Sequence, residues 1–305
     1  MPAASIIITN WNGQKWLADC LESLRRQSYP DFEIILVDDG STDGSAAWVA
    51  EHYPEVRLIR LEQHLGFAGA NNVGIRAAGG RYIVTLNNDT RADPDWLREL
   101  IGGLAAPDIG MVAAQMLVWD RPDTLDSAGI KVDWAGFGWN LSAGQPANTA
   151  ACRRDVFGPC AGAALYRRDM LEQIGLFDED FYTYYEDIDL AWRAQRAGWR
   201  CLYVPTARVL HYHSATGGKA SPRKIFLLSR NRWWTIAKNV DARDLWWSLV
   251  LIAGYDLASL LYQLYRQRNF APLRARWQAL AGLPKMLAKR FPAAKRVKLS
   301  LPPPF

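Results

Sequence analysis

Short apolar runs alternate with amphipathic stretches through the first hundred residues. Residues 5–9 (SIIIT) read as a buried strand, and residues 33–37 (EIILV), 56–60 and 82–86 (YIVTL) repeat the pattern. Between them, residues 15–27, 45–52 and 68–78 carry helical spacing. This β-α-β-α alternation predicts a parallel α/β sheet with helices on both faces. Ligands of open sheets bind beyond the carboxyl ends of the strands. Two such ends, after Val37 and after Leu86, are where acids cluster. The pattern weakens over residues 113–159, which are rich in Gly, Trp and Ala and read as loops and short strands lining an acceptor side. Helical spacing returns at residues 167–174 and 188–197, and residues 202–204 look strand-like before a turn at Pro205. From Ile225 onward the chain reads as helical and apolar with basic punctuation.

With 305 residues, half of them hydrophobic, the chain can bury a sizeable core in one large or two modest domains. The net charge of +5 divides unevenly: about −9 over residues 1–218 and about +14 over residues 219–305. A boundary is therefore expected between residues 218 and 219, with anionic lipid or nucleic acid as partner classes for the basic tail. Cys20, Cys152, Cys160 and Cys201 show no CxxC spacing, and the opening MPAASIIITN has neither a basic start nor a long apolar run. A reducing cytoplasmic setting is expected, with all four cysteines as small buried hydrophobes.

Three constellations carry candidate chemistry. Asp38-Asp39-Gly40-Ser41-Thr42-Asp43 follows a strand, where carboxylates can accept bonds from a pyrimidine imide and from ribose hydroxyls. The competing reading is a polar turn with Asp43 or Ser45 capping the next helix. Asn87-Asn88-Asp89 ends another strand, where Asp89 could hold a hard divalent cation on a diphosphate or simply form a turn. Around Glu186-Asp187-Ile188-Asp189, Asp187 falls in the first turn of a helix and could take an acceptor's proton, with like-charged neighbours raising its pKa. Favourable acids at a helix start, with Arg193 pairing to Asp189, are the structural alternative. His211 or His213 could complete a metal site with Asp89.

In sequence order, Ile7–Gly13, Val37–Asp43, Leu65–Gly74, Leu86–Asp89, Gly162–Arg168 and Gly175–Arg193 resemble family-2 glycosyltransferases over roughly residues 4–240. Within that family the chain is most similar to rhamnosyltransferase-like enzymes of bacterial cell-surface polysaccharide synthesis. The resemblance implies a GT-A-type, Rossmann-like α/β domain with a C-terminal helical extension and an inverting, metal-dependent transfer. It implies Thr9, Asn10, Asp38, Asp39 and Asn71 at the donor nucleotide and Asp187 as catalytic base. Asp89 and His211 would hold Mg²⁺ or Mn²⁺, with Asn88, Glu186, Asp189 and Arg193 in support. His211, followed by Ser214 and Thr216, matches the family's later histidine; His213 does not. The implied donor is a dTDP- or UDP-sugar, rhamnose first, and the acceptor a hydroxyl of a lipid-linked glycan or polysaccharide. Two departures stand out: His64 where relatives carry Asn, and Asn87-Asn88 in place of the acids of a full DxD. A pyrophosphorylase is disfavoured because residues 7–13 hold one Gly and no basic triphosphate loop. A catalytically silent sugar-nucleotide-binding module is the alternative from another class.

Arg230-Asn231-Arg232-Trp233-Trp234 resembles a segment that follows the catalytic domain in relatives. Beyond it, residues 245–265 are long and apolar enough to span a bilayer, but Asp256 near the middle adds about 2.5–3.5 kcal/mol to insertion. Flanking Trp246, Trp247, Tyr262, Tyr265, Arg266 and Arg268 favour a helix lying in the interface, against a packed helical subdomain or an oligomer contact. The expected partner is the anionic inner face of the cytoplasmic membrane. Nucleic acid is not expected, because the aromatic residues sit within apolar runs rather than on an exposed stacking surface.

Overall fold

The structure is a computed structural model describing residues 1–212 and 221–299, apart from residues 267, 269, 293, 294, 296 and 298. The side chains of Ala242, Trp247 and Arg266 are likewise outside the description. His213, Ser214, Thr216 and the boundary expected at residues 218 and 219 fall outside the described residues.

Strand β1 (Ala4–Asn10) is buried along nearly its whole length and centres the parallel half of the sheet. It pairs in parallel with β2 (Phe32–Asp38) on one side and with β4 (Tyr82–Asn87) on the other, while β3 (Arg57–Arg60) extends the sheet beyond β2. Successive side chains of a strand point to opposite faces. Ile6 and Ile8 accordingly pack with Leu17 and Leu21 of α1 (Gln14–Arg25), in the same core as Val49 of α2 (Ser45–His52). Ile7 and Val37 join the opposite core with Ala68 and Ile75 of α3 (Gly66–Ala77). The alternation read from the sequence is thus present, with boundaries shifted by two residues or fewer.

The rest of the body is β5 (Thr90–Ala92), α4 (Trp96–Gly102), β6 (Ile109–Val118), β7 (Arg121–Ser127) and a two-stranded β8 (Ile130–Val132)–β9 (Gly138–Asn140) ribbon. These are followed by β10 (Arg154–Val156), β11 (Ala163–Arg167), α5 (Arg168–Ile174), α6 (Glu186–Ala197) and β12 (Arg200–His211). The main path through the sheet is β10-β12-β6-β11-β4-β1-β2-β3, with β5 on β12 and β7 on β6. Two expectations need correction. Residues 113–118 belong to a long, buried interior strand, β6, rather than to loops; a run buried on both faces has no alternation to read. The strand expected at residues 202–204 continues past Pro205 to His211, because a register shift between Val204 and Arg208 accommodates the proline. That extension sets His211 opposite Thr90 and beside the end of β4.

Three helices follow among the described residues: α7 (Pro222–Asn239), α8 (Ala242–Arg266) and α9 (Ala271–Ala288). The excess of acids in the body and bases in the tail meets inside the molecule. Lys238 of α7 bonds Asp178 at 2.7 Å and Asp189 at 2.9 Å, and Lys289 bonds Asp178 and Asp180. Burial opposes ionisation of Asp178, but Lys238 and Lys289 hold it down to about 2. Midway along α8, Asp256 binds Arg232 and Arg276 and accepts from Trp233 Nε1, so this carboxylate ties the three helices together. Replacing Lys238 by Met leaves Asp178 and Asp189 short of a buried cation, and should lower unfolding free energy by about 3 kcal/mol in urea titrations at pH 7.

Candidate active site

Strand ends and the start of α6 meet around a cleft of about 450 Å³. On the parallel side, Asn10 at the end of β1 is the organising residue. Its Nδ2 donates to Asp38 Oδ1 at 3.0 Å and Ser45 Oγ at 2.8 Å, and its Oδ1 accepts from Asn88 Nδ2 at 2.7 Å. Asp38 also accepts from the Ser41 amide, which makes it a turn former behind the cleft wall. Asp43 bonds the amides of Gln14 and Ser45 and so serves the turn, but the cap of α2 is Gly44 with no side-chain bond, so neither Asp43 nor Ser45 caps that helix as expected.

Asp39 reaches the cleft, but its carboxylate is already held by the amides of Leu65 and Gly66 and by His64 Nδ1 at 2.6 Å. Gly66 has φ +77°, and a Cβ there would lie 2.6 Å from the Tyr182 ring, so a side chain is excluded twice over. The flat ring of His64 stacks on Trp11 at 4.3 Å. Beside it, Tyr182 accepts from Arg223 at 2.6 Å.

The opposite strand end carries the metal candidates. Asp89 Oδ1 and His211 Nε2 lie 3.3 Å apart at the cleft, and His211 Nδ1 bonds Asp126 Oδ2 at 2.6 Å. Burial disfavours a charged His211 ring, but its hydrogen bonds to Asp126 and Asp89 outweigh this and lift the pKa to about 9. A carboxylate that fixes the far nitrogen while the near one faces a second ligand is the usual setting of a metal-bound histidine. The donor set fits one divalent cation that draws its remaining ligands from phosphate oxygens and water. Among the described residues no cluster of three or more His, Cys, Asp or Glu is placed to hold an ion unaided.

The third wall is the start of α6. Tyr182, Tyr184 and Tyr185 all have positive φ, near +70°, and each such non-glycine residue costs on the order of 1 kcal/mol or more. This turn delivers Glu186 and Asp187 to the cleft. Glu186 is buried, its Oε2 has no hydrogen-bond partner among the described residues, and burial beside Asp187 pushes its pKa well up. Asp187 opens partly to the cleft, yet the protein packed around it lifts its pKa to about 6 against the amides of Ala161 and Ile188.

Of the residues expected at the site, Thr9, Asn10, Asp39, Asn88, Asp89, Glu186, Asp187 and His211 line the cleft. Asp38, Asn71, Asp189 and Arg193 do not. Asn71 bonds back to the Phe67 carbonyl within α3. Asp189 is fully buried and pairs with Arg193, whose guanidinium also holds the carbonyls of Ile174, Gly175 and Leu176. Asp126 was missed because nothing near it in sequence marks it as His211's partner 85 residues away. Arg223 and Lys224, also missed, left a trace: cations are unfavourable in a helix's first turn, and these two follow the Ser221 cap of α7 and line the cleft. Cys20 and Cys201 are buried, but Cys160 lines the cleft and Cys152 is exposed, so the expectation of four buried cysteines fails for those two; all four are free thiols.

Residues 5–175 match the profile of glycosyl transferase family 2. The chain belongs to that family. This family-2 chain is 30% identical over 249 residues to the N-acetylglucosaminyl-diphospho-decaprenol L-rhamnosyltransferase of Mycobacterium tuberculosis, a match covering 70% of this chain and 80% of the relative. It is 29% identical over 226 residues to the O-antigen biosynthesis protein RfbC of Myxococcus xanthus, covering 70% of this chain but only 18% of that much longer protein. The fold is GT-A: a Pyrobaculum calidifontis mannosyltransferase solved with GDP-Man and Mn²⁺ superposes with a TM-score of 0.58 at 20% identity, over 94% of this chain and 84% of that one.

A carboxyl group whose folded-state pKa lies above its unfolded value favours folding at low pH and loses that advantage as pH rises through the folded pKa. For Asp187 the window runs from about 4 to about 6. Asp187→Asn should therefore be about 2 kcal/mol more stable than wild type at pH 7, after allowance for water in the cleft, with the gain vanishing near pH 4. Denaturant titrations at the two pH values check this.

Proposed function

We propose that this chain is an inverting glycosyltransferase that moves a sugar from a nucleoside diphosphate onto an acceptor hydroxyl. The observation that carries the reading is one cleft with a carboxyl of raised pKa, Asp187, on one wall and the paired Asp89 and His211 on another. Asp187 takes the acceptor hydroxyl's proton as its oxygen attacks the anomeric carbon. The bond from that carbon to the diphosphate breaks, the nucleoside diphosphate leaves, and configuration inverts. A base with a pKa near 6 is ionised at neutral pH while remaining basic enough to accept the proton. Mg²⁺ or Mn²⁺ held by Asp89 and His211 would supply charge neutralisation at the leaving diphosphate. Arg223 and Lys224 line the same cleft and add positive charge for that group. Asn10, Thr9 and the Trp11–His64 stack with Asp39 form the nucleotide side.

The Mycobacterium relative, named as an L-rhamnosyltransferase of N-acetylglucosaminyl-diphospho-decaprenol, supports rhamnose as the first sugar and a lipid-linked acceptor; dTDP is the first donor nucleotide to test. In a panel of dTDP- and UDP-sugars with Mg²⁺ or Mn²⁺, one donor should release nucleoside diphosphate. Chelator should abolish the release, and Asp187→Asn should cut kcat at least 100-fold while donor still binds. Activity should rise with pH through about 6. Donor binding without turnover, even with lipid-linked acceptors, would instead make the chain a silent binding module.

The tail supports attachment to the inner face of the cytoplasmic membrane. Residues Ser248–Tyr265 of α8 are only 11% buried and long and apolar enough, by length and composition, to cross a membrane. The charged contacts of Asp256 with Arg232 and Arg276 oppose insertion across a bilayer and favour a helix lying on its surface. Trp246, Tyr265 and Trp277 are at least three-quarters exposed, which suits a membrane interface. The protein should sediment with anionic vesicles, and a Trp246→Glu/Trp277→Glu variant should stay in the supernatant while retaining turnover of soluble substrates. Equal sedimentation of the two proteins would remove the membrane assignment.

A further inference from the structure

The turn that delivers Glu186 and Asp187 is held from outside the sheet, by two adjacent residues of α7. Asn231 is fully buried, and its Nδ2 donates to the carbonyls of Phe181 at 2.9 Å, Thr183 at 3.0 Å and Tyr184 at 2.7 Å. Arg230 Nη2 donates to the carbonyls of Asp180 and Phe181, each at 3.1 Å. Arg230 also fixes its neighbour: Nε donates to Asn231 Oδ1 at 2.8 Å, while the guanidinium lies 4.1 Å from the Trp234 ring centre. The carbonyls bound are those of the segment in which Tyr182, Tyr184 and Tyr185 adopt left-handed φ. Carbonyls turned the unusual way in such a segment cannot bond within a helix or strand and need donors from elsewhere; the Thr183 amide reaches the Phe181 carbonyl locally, and Arg230 and Asn231 supply further donors. Strained non-glycine turns persist where surrounding groups over-determine them. Here the surrounding groups are the Arg230–Asn231 pair, together with Tyr185 Oη accepting from the Gly138 amide and the Tyr182 carbonyl accepting from the Ala68 amide.

We infer that Arg230 and Asn231 are positioning residues: they clamp the 181–185 turn so that Asp187 faces the acceptor hydroxyl, although neither lines the cleft. The inference rests on the transfer reading above for the role of Asp187. It also makes α7 part of the catalytic apparatus rather than a linker to the tail. A displacement of about 1 Å at a reacting group costs on the order of 100-fold in rate, so a loosened turn should show in kcat before it shows in donor binding.

Asn231→Asp keeps the shape and the bond from Arg230 but removes the donors; Arg230→Gln removes the other arm. Each full-length variant is compared with wild type for cooperative unfolding, affinity for dTDP and UDP, kcat, donor KM, and hydrogen exchange of amides 182–187. Expected are cooperative unfolding, nucleotide affinity and KM within about three-fold of wild type, kcat lower by about 100-fold, and faster exchange confined to that turn. A kcat within three-fold of wild type in a folded variant overturns the inference. So does a parallel loss of nucleotide affinity and kcat, which marks general support of the fold. If Asn231→Asp does not fold, Arg230→Gln decides. Should wild type turn over no donor, the transfer reading fails separately, and unchanged exchange at 182–187 still overturns the clamp.

Discussion

A fully buried carboxylate with three partners holds the functional half of the molecule together. Asp189, one turn into α6, accepts from Arg193 on its own helix and from Lys238 and Asn239 on α7. Burial alone would raise its pKa, but the two cations outweigh this and keep it ionised. An isolated charge in that position would cost several kcal/mol, so each partner is obligatory once the carboxylate is present. The network then spreads outward. Arg193 gathers the carbonyls of residues 174–176, and Lys238 reaches Asp178, which Lys289 at the C-terminal end of α9 also binds. The helix that carries Asp187 in its first turn is thereby pinned by the tail.

The cleft above this anchor separates two kinds of electrostatics within one cavity. On one wall, Glu186 and Asp187 sit with few donors, and burial drives both towards the neutral form. On the other, Asp89 and Asp126 share the His211 ring, and their hydrogen bonds outweigh the effect of burial and favour its charged form. Under the proposed transfer, a group that accepts a proton and a group that holds a cation need opposite environments, and the fold supplies them from a helix start and a strand end far apart in sequence. Arg223 and Lys224 bring positive charge to the rim against the dipole of their own helix.

The charge asymmetry of the chain gains a second meaning from the same contacts. Seen as composition, an acidic body and a basic tail suggest an external anionic partner. In the structure Lys238, Lys285 and Lys289 are consumed by Asp178, Asp180 and Asp189, and Arg232 and Arg276 by Asp256. What is left facing outward on α8 and α9 is chiefly apolar and aromatic. The proposed surface attachment therefore rests more on apolar area than on net charge.

The sequence by itself determined the parallel βα half, because the period of its apolar residues is fixed locally by strand and helix geometry. It also determined that acids stand at two strand ends and at the start of α6, since turn residues mark those ends. Tertiary structure alone decided which of these acids face the cleft. Asp38 and Asp39 are neighbours in sequence, yet one forms the turn and the other reaches the cavity, because adjacent residues leave the chain in different directions. Likewise Asp187 and Asp189 lie on one helix turn, and only packing against α7 makes the second a buried anchor. The Asp126–His211 pair and the Asn231 clamp join residues 85 and about 50 positions apart, a distance over which no local pattern carries information.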